Sequence, residues 1–358
     1  MTYFRENVET LEAYKPGAQP QGLQSDVLKL NTNENPFAPS EKVCRMLSQF
    51  PEVEQLRLYP DPLSEQLRLA ASNVYHIPQD QIIATNGSDE FLNLCVRAFV
   101  DSRDAMAFFT PSYTLYETLG EIQGAKTVRI FFNEDYSINF DCVPKHSKLT
   151  FLANPNAQSG TFIPVDVIKR LADTLSGILV VDEAYVDFAE DHCLRLIAGC
   201  PNILVSRSFS KSYALASLRL GLGFGSLELI QGLMKIKDSY NVNRITQCLG
   251  EAALLDQEHL LNLVVRIKKN RKNLVQSFEG LGFFVYPTEA NFVLVRLTSV
   301  HLAKTMVEQL KDKNIFVRYF PRPRLDHCVR ITVGTEEQNE KLIEAVKGLP
   351  LCRNLKEK

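Results

Sequence analysis

Ile203-Leu204-Val205-Ser206-Arg207-Ser208-Phe209-Ser210-Lys211-Ser212-Tyr213-Ala214-Leu215-Ala216-Ser217-Leu218-Arg219-Leu220-Gly221 is the stretch whose reading decides the fold. Its first three residues are a short apolar run that reads as a buried strand. Hydroxyls precede the lysine at Ser208 and Ser210, and an arginine follows it at Arg219. Small and apolar residues fill the gap. A lysine built for solvent has no need of such neighbours. A lysine that attacks a carbonyl gains from them, because partial burial favours the neutral amine. Hydroxyls beside an arginine suit a phosphate. The plain alternative is a solvated lysine in a serine-rich loop, and the rest of the chain decides between the two.

Outward from this stretch, on its N-terminal side, short apolar runs alternate with helical spacing. Residues 82–84, 105–109, 128–131, 149–153 and 178–181 read as strands. Residues 63–74, 90–100, 113–123 and 165–175 read as helices, the third closed by Gly124 as a C-cap. This alternation predicts βαβ units, and so an α/β fold with a mainly parallel sheet flanked by helices. Such a sheet binds ligands at the carboxyl ends of its strands. Gly221-Leu222-Gly223-Phe224-Gly225 lacks the spacing of a dinucleotide loop and reads as a further strand. Beyond residue 225 the pattern changes. Helices are expected at 227–237 and, long and charged, at 251–279; strands at 283–285, 292–295, 315–317 and 329–333 are separated by helices at 301–313 and 336–347. The expected division is an arm of turn signals at 1–39, a large domain at 40–250 and a smaller α+β domain at 251–358.

The 358 residues are 45% hydrophobic and 23% charged, which accords with about two ordinary globular domains. A net charge of -2 offers no basic stripe for nucleic acid or a membrane surface. Eight cysteines without a Cys-x-x-Cys pair or zinc spacing read as reduced thiols, which points to the cytoplasm. The first residues carry no secretory signal pattern, and no apolar run approaches a membrane span.

Four of the expected strands of the large domain end in chemistry. After residues 82–84, Asn86-Gly87-Ser88-Asp89-Glu90 opens a helix whose free N–H groups suit a phosphate, or are capped by Ser88 or Asp89. After 105–109 comes Tyr113, a ring that stacks on a flat cofactor or packs in the core. After 149–153, Asn154-Pro155-Asn156 is a turn, or a turn whose Asn154 donates to a phenolate oxygen. After 178–181, Asp182-Glu183-Ala184-Tyr185 brings a carboxylate that needs a buried partner, such as a pyridinium N–H, or that caps a helix. An amine, a phosphate site, a stacking ring and a carboxylate at one sheet edge together suggest pyridoxal phosphate held as a Schiff base.

With Leu11-Glu12-Ala13-Tyr14, Asn33-Glu34-Asn35-Pro36, Tyr59-Pro60-Asp61-Pro62 and Val329-Arg330-Ile331-Thr332-Val333-Gly334-Thr335 added, the pattern resembles the fold-type-I pyridoxal-phosphate aminotransferases over nearly the whole chain. Within them it resembles the histidinol-phosphate aminotransferases. The resemblance implies pyridoxal 5'-phosphate linked to Lys211, with Asp182 on the ring nitrogen, Asn154 and Tyr185 on the ring oxygen and Tyr113 stacked on the ring. Ser88, Asp89, Ser208, Ser210 and Arg219 would hold the phosphate, and Tyr59 would reach it from the second subunit of a homodimer. Tyr14, Asn35, Arg318 and Arg330 would meet the substrates: histidinol phosphate, 2-oxoglutarate and glutamate, in histidine biosynthesis. Two departures stand out. The lysine segment has Phe209 and Ser212-Tyr213 where the family shows Thr-Leu-Ser-Lys followed by Ala-Phe-Gly. After Arg318, Tyr319-Phe320-Pro321-Arg322-Pro323-Arg324 replaces the usual polar run, so Arg322 and Arg324 stand as further candidates for phosphate binding. A decarboxylase of a phosphorylated amino acid, or a broader aromatic aminotransferase, would share the cofactor residues.

Overall fold

The structure, a computed structural model, describes residues 3–11, 27–50 and 53–350. Its strands are β1 (Leu28–Lys29), β2 (Ile82–Thr85), β3 (Ala105–Thr110), β4 (Lys126–Phe131), β5 (Leu149–Ala153), β6 (Ile178–Asp182), β7 (Ile203–Ser208), β8 (Gly221–Gly225), β9 (Phe284–Val285), β10 (Phe292–Arg296), β11 (Ile315–Phe316), β12 (Arg318–Tyr319) and β13 (Cys328–Thr332). Seven of them form the central sheet in the order β2-β8-β7-β6-β5-β3-β4. The pairs from β7 through β4 are all parallel, and β8 runs antiparallel to β2 and β7. The sheet is mainly parallel, as the alternation predicts. Every residue of β5 and β7 is buried, because βα crossovers cover both faces of such a sheet. Helices Ser88–Phe99 and Leu227–Met234 pack on β8, and Gly124, in the left-handed region, closes helix Leu115–Gln123.

A second, antiparallel sheet has the order β12-β13-β10-β9, with helix Gln257–Gly280 lying against β9 and β10. Two expectations need correction here. The long helix expected at 251–279 is two helices, Arg244–Leu254 and Gln257–Gly280. Asp256 leaves helical geometry at the break, where Lys42 Nζ donates to the Leu255 carbonyl (2.9 Å) and pairs with the Asp256 carboxylate (3.5 Å). The strand expected at 315–317 ends at Phe316, and a second, unexpected strand follows at Arg318–Tyr319. Ile315–Phe316 pairs with Leu28–Lys29 in a parallel two-stranded ladder, whereas Arg318–Tyr319 joins β13. Hydrogen bonding to residues far away in sequence makes this division, so local propensity does not reveal it. The N-terminal segment continues from β1 across the second sheet, with the Thr332 N–H donating to the Leu30 carbonyl (2.9 Å).

Candidate active site

The carboxyl ends of β2, β6 and β7 meet residues 31–34 and the β12–β13 edge around a cavity of about 580 Å³. That size suits a cofactor or small substrate. Ser88, Asp89, Tyr113, Asp182, Tyr185, Ser208, Ser210, Lys211, Arg219, Arg318 and Arg330, all singled out in the sequence, line it. Lys211 Nζ donates to the Thr32 carbonyl (3.2 Å) and sits 5.7 Å from the centre of the Tyr185 ring.

The lysine rests on a buried ionic layer. Arg207 Nε donates to Glu183 Oε2 (3.1 Å) and Nη1 to Asp187 Oδ1 (3.1 Å), while the Ser212 hydroxyl, next to the lysine, donates to the other Asp187 oxygen. Tyr75 covers the guanidinium, its ring centre 5.0 Å away. An unpaired charge at this depth would be strongly unfavourable, so the layer holds the backbone on either side of Lys211 to one arrangement.

One wall is built for an anion. Helix Ser88–Phe99 starts at Gly87 with no side-chain cap, so the N–H groups of its first turn lack that partner. Gly87 has φ of +79°, which favours glycine, and a Cβ there would sit 2.7 Å from Arg219 Nη2. A Cβ on Gly221 would lie 2.5 Å from the Ser88 nitrogen. Both glycines therefore let the helix start and Arg219 close on one point. Arg219 donates to Ser210 Oγ (3.4 Å) and Asp89 Oδ2 (3.2 Å), Tyr113 donates to Asp89 Oδ1 (3.1 Å), and Ser208 Oγ accepts from the Ser210 N–H (3.2 Å).

At the end of β6, Asp182 accepts from the Tyr116 hydroxyl (2.8 Å) and the Ala184 N–H (3.3 Å). Burial pushes its carboxyl from 3.8 up to about 6; the bond from Tyr116 works against that and the charge of Asp89 adds to it. Tyr116 is itself buried, stacked on Phe151 at 4.8 Å and edge-on to Tyr113 at 5.7 Å, so it ties the carboxyl to the Tyr113 ring. On the other side, Asn33 Nδ2 donates to the Tyr185 hydroxyl (3.0 Å), and Asn33 Oδ1 accepts from Thr332 (3.2 Å). The sequence alone marks neither Tyr116 nor Asn33 as a site residue, because each acts through a contact 66 to 299 residues away in the chain.

The structure brings other candidates elsewhere. Asn154 is fully buried and closes a loop: its amide donates one hydrogen to the Ile163 carbonyl (3.0 Å) and accepts from the Ile163 N–H (2.7 Å), leaving the second amide hydrogen without a part in that closure. Ala157 and Gln158, from the same turn, line the cavity instead. Asn35, expected to meet substrate, donates to the Lys211 and Ser212 carbonyls (3.0 and 3.1 Å) and accepts from the Phe37 N–H; it lies beneath the lysine, outside the cavity lining. Tyr59 is 75% exposed and stacked on Tyr240 at 4.3 Å, away from the cavity of its own chain. Tyr14 lies outside the described residues. Arg324 donates to the Phe132 and Asn133 carbonyls at 2.7 Å each and joins two segments, whereas Arg322 lines the cavity. Among the described residues no cluster of His, Cys, Asp or Glu could hold a metal ion, and no helix is long and apolar enough to cross a membrane.

The family model for class I and II aminotransferases matches residues 25–346. The chain belongs to that family. It is thus a pyridoxal-phosphate-dependent aminotransferase. Histidinol-phosphate aminotransferase 1 of a Nostoc species is 42% identical over 97% of this chain and 98% of its own. The histidinol-phosphate aminotransferase of Citrifermentans bemidjiense is 41% identical over 98% and 99%. The crystal structure of the Sinorhizobium meliloti histidinol-phosphate aminotransferase, in complex with pyridoxal-5'-phosphate, has the same fold, with a TM-score of 0.89 at 24% identity over 99% of both chains.

Proposed function

We propose that this aminotransferase moves an amino group reversibly between L-histidinol phosphate and 2-oxoglutarate, with pyridoxal 5'-phosphate as cofactor, in histidine biosynthesis. One observation carries the reading. A buried carboxyl at Asp182, a lysine at Lys211 and two arginines at Arg318 and Arg330 share one cavity, in a chain 42% identical to a histidinol-phosphate aminotransferase.

The residues present fit the cofactor. Asp182, buried and pushed towards neutrality, gains a partner from a ring N–H, which would offset the cost of burying its charge. The helix start at Ser88 and Asp89, the Ser208 and Ser210 hydroxyls and Arg219 form a cradle for its phosphate. Tyr113 offers a ring face, and Tyr185, accepting from Asn33, keeps its own proton to donate to the ring oxygen. When bound, pyridoxal phosphate supplies the carbonyl that receives the amino group and a ring that delocalises the electrons left as the substrate's α-hydrogen departs. Lys211 Nζ takes that proton from the α-carbon and returns it on the cofactor side, as general base and then general acid. Arg318 and Arg330 hold the substrate anion. Residues 40–250 would carry the cofactor and 251–358 would complete the substrate side, with 1–39 as the arm. The setting we favour is cytoplasmic, supported by eight scattered cysteines without paired spacing.

Incubation of the cofactor-loaded protein with histidinol phosphate and 2-oxoglutarate is expected to yield glutamate and imidazole acetol phosphate in equal amounts. No amino transfer in that incubation, with carbon dioxide released from a phosphorylated amino acid or amino transfer from aromatic amino acids when these are offered instead, would overturn the substrate assignment.

A homodimer belongs to the same proposal, with Tyr59 donating to the cofactor phosphate of the neighbouring subunit. The exposed Tyr59 ring, in a loop stiffened by Pro60 and Pro62, supports it. Chains with Tyr59→Ala and chains with Lys211→Ala, each impaired alone, are expected to recover on mixing about half the activity of a wild-type dimer per heterodimer. One of the two sites then combines native Lys211 from one chain with native Tyr59 from the other. Heterodimers that form but stay inactive would show that Tyr59 does not act across the interface.

A further inference from the structure

We propose that Arg322 is a third anion-binding guanidinium, held in reserve by Glu117 and recruited by a phosphate-bearing substrate more than by a carboxylate-bearing one; the proposal rests on the substrate pair given above. Arg318 and Arg330 are direct partners across β12 and β13, so both side chains leave one face of that sheet. Their guanidinium carbons lie 5.1 and 5.0 Å from the centre of the Phe320 ring, so both cations pack on one aromatic side chain. Arg330 also donates to the Ala157 carbonyl (2.8 Å) and Gln158 Oε1 (3.3 Å). This is a fixed pair, suited to one carboxylate at a time.

Arg322 lies two residues beyond Phe320 and lines the same cavity, but its side chain is 54% exposed and is held differently. Nη1 donates to Glu117 Oε2 at 3.3 Å. The other oxygen of Glu117 is already held by Arg129, from Nε (2.8 Å) and from Nη2. Glu117 itself is buried in helix Leu115–Gln123, so losing both partners would be costly, whereas losing Arg322 leaves Arg129 in place. Arg322 is the exposed member of the pair and Arg129 still neutralises Glu117 when it leaves, so the departure of Arg322 costs little. A phosphate monoester carries more negative charge than a carboxylate and three acceptor oxygens, which one further guanidinium matches. Arg324, two residues on, has no such freedom, being fixed to two backbone carbonyls.

The test measures the two half-reactions separately on cofactor-loaded wild type, Arg322→Gln, Arg322→Lys and Glu117→Gln. In Arg322→Gln the apparent KM for histidinol phosphate, divided by that for glutamate, is expected to rise about tenfold, the effect falling on KM rather than kcat. Arg322→Lys should recover part of the change, since it keeps the charge and loses the fork. Glu117→Gln should move the ratio the opposite way, because it frees Arg322 and removes the negative charge that holds it. Equal shifts in both KM values, or none, would overturn the proposal. Inorganic phosphate, as an inhibitor of the glutamate half-reaction, separates this from the substrate assignment. If wild type does not turn over histidinol phosphate but Arg322→Gln weakens phosphate inhibition about tenfold, the substrate assignment fails and the role of Arg322 stands. If histidinol phosphate is turned over and neither the ratio nor the inhibition moves, the reverse holds.

Discussion

Replacing Lys211 by Ala is expected to lower amino transfer by at least about a thousandfold while leaving the fold intact. Positioned acid–base groups contribute on the order of 10²–10⁴-fold, and this lysine would also anchor the cofactor. The fold should persist because the amine lies at the cavity wall, where it donates to the Thr32 carbonyl. The arrangement below it, Arg207 with Glu183 and Asp187, does not involve the lysine side chain. Unfolding of the variant without cofactor should match wild type within about 1 kcal/mol, as for substitutions outside a packed core. Borohydride reduction of the loaded wild type should leave pyridoxal phosphate attached to the peptide that contains Lys211, and none in the variant. An adduct on any other lysine would refute the assignment.

Replacing Asp182 by Asn is expected to slow the half-reactions by on the order of 100-fold or more, the scale seen when one fixed charge is removed from an active site. An asparagine has nearly the same shape but cannot balance a protonated ring nitrogen. The same change should raise the stability of the cofactor-free protein at neutral pH. Burial raises the Asp182 carboxyl from 3.8 to about 6, so between those values the unfolded chain loses its proton first. The resulting penalty is absent below about pH 4 and grows as pH rises to about 6. Above that it levels off at about 3 kcal/mol, because each pH unit between the two values contributes about 1.4 kcal/mol. Urea unfolding should therefore show the Asp182→Asn chain more stable than wild type at pH 7.5, with the gap closing as pH falls towards 4. Pyridoxal phosphate should reverse the order at pH 7.5, since only the carboxylate balances the charge of a protonated ring nitrogen. A variant that keeps its half-reaction rate, or a stability gap that does not depend on pH, would count against a buried carboxyl as the ring partner.

Much of the large sheet was legible because its signals are local. Residues 149–153 and 203–205 are apolar runs that have little choice but burial, and Gly124 ends a helix where only a left-handed residue fits. Lys211, Asp182 and Tyr113 were found because a parallel sheet presents the residues just after its strands at one edge. Asn154 and Asn35 carry the same side chain in similar Asn-Pro contexts, and local sequence does not distinguish an amide that faces a ligand from one that closes a loop. In the structure both hold backbone, Asn154 at Ile163 and Asn35 at Lys211 and Ser212. The break at Asp256 is met by Lys42, and the two short strands at 315–316 and 318–319 take different partners, Leu28–Lys29 and β13.

By itself the sequence determined the α/β class, the order of the strands along the chain, and the residue types gathered at their ends, since burial, alternation and turn chemistry act over a few residues. Tertiary structure alone decided that Tyr116 holds Asp182, that Asn33 connects Tyr185 to Thr332, and that Arg322 rather than Arg324 faces the cavity. Each of these is a hydrogen bond or a packing choice between segments far apart in the chain, and its partner exists only once the sheets have come together.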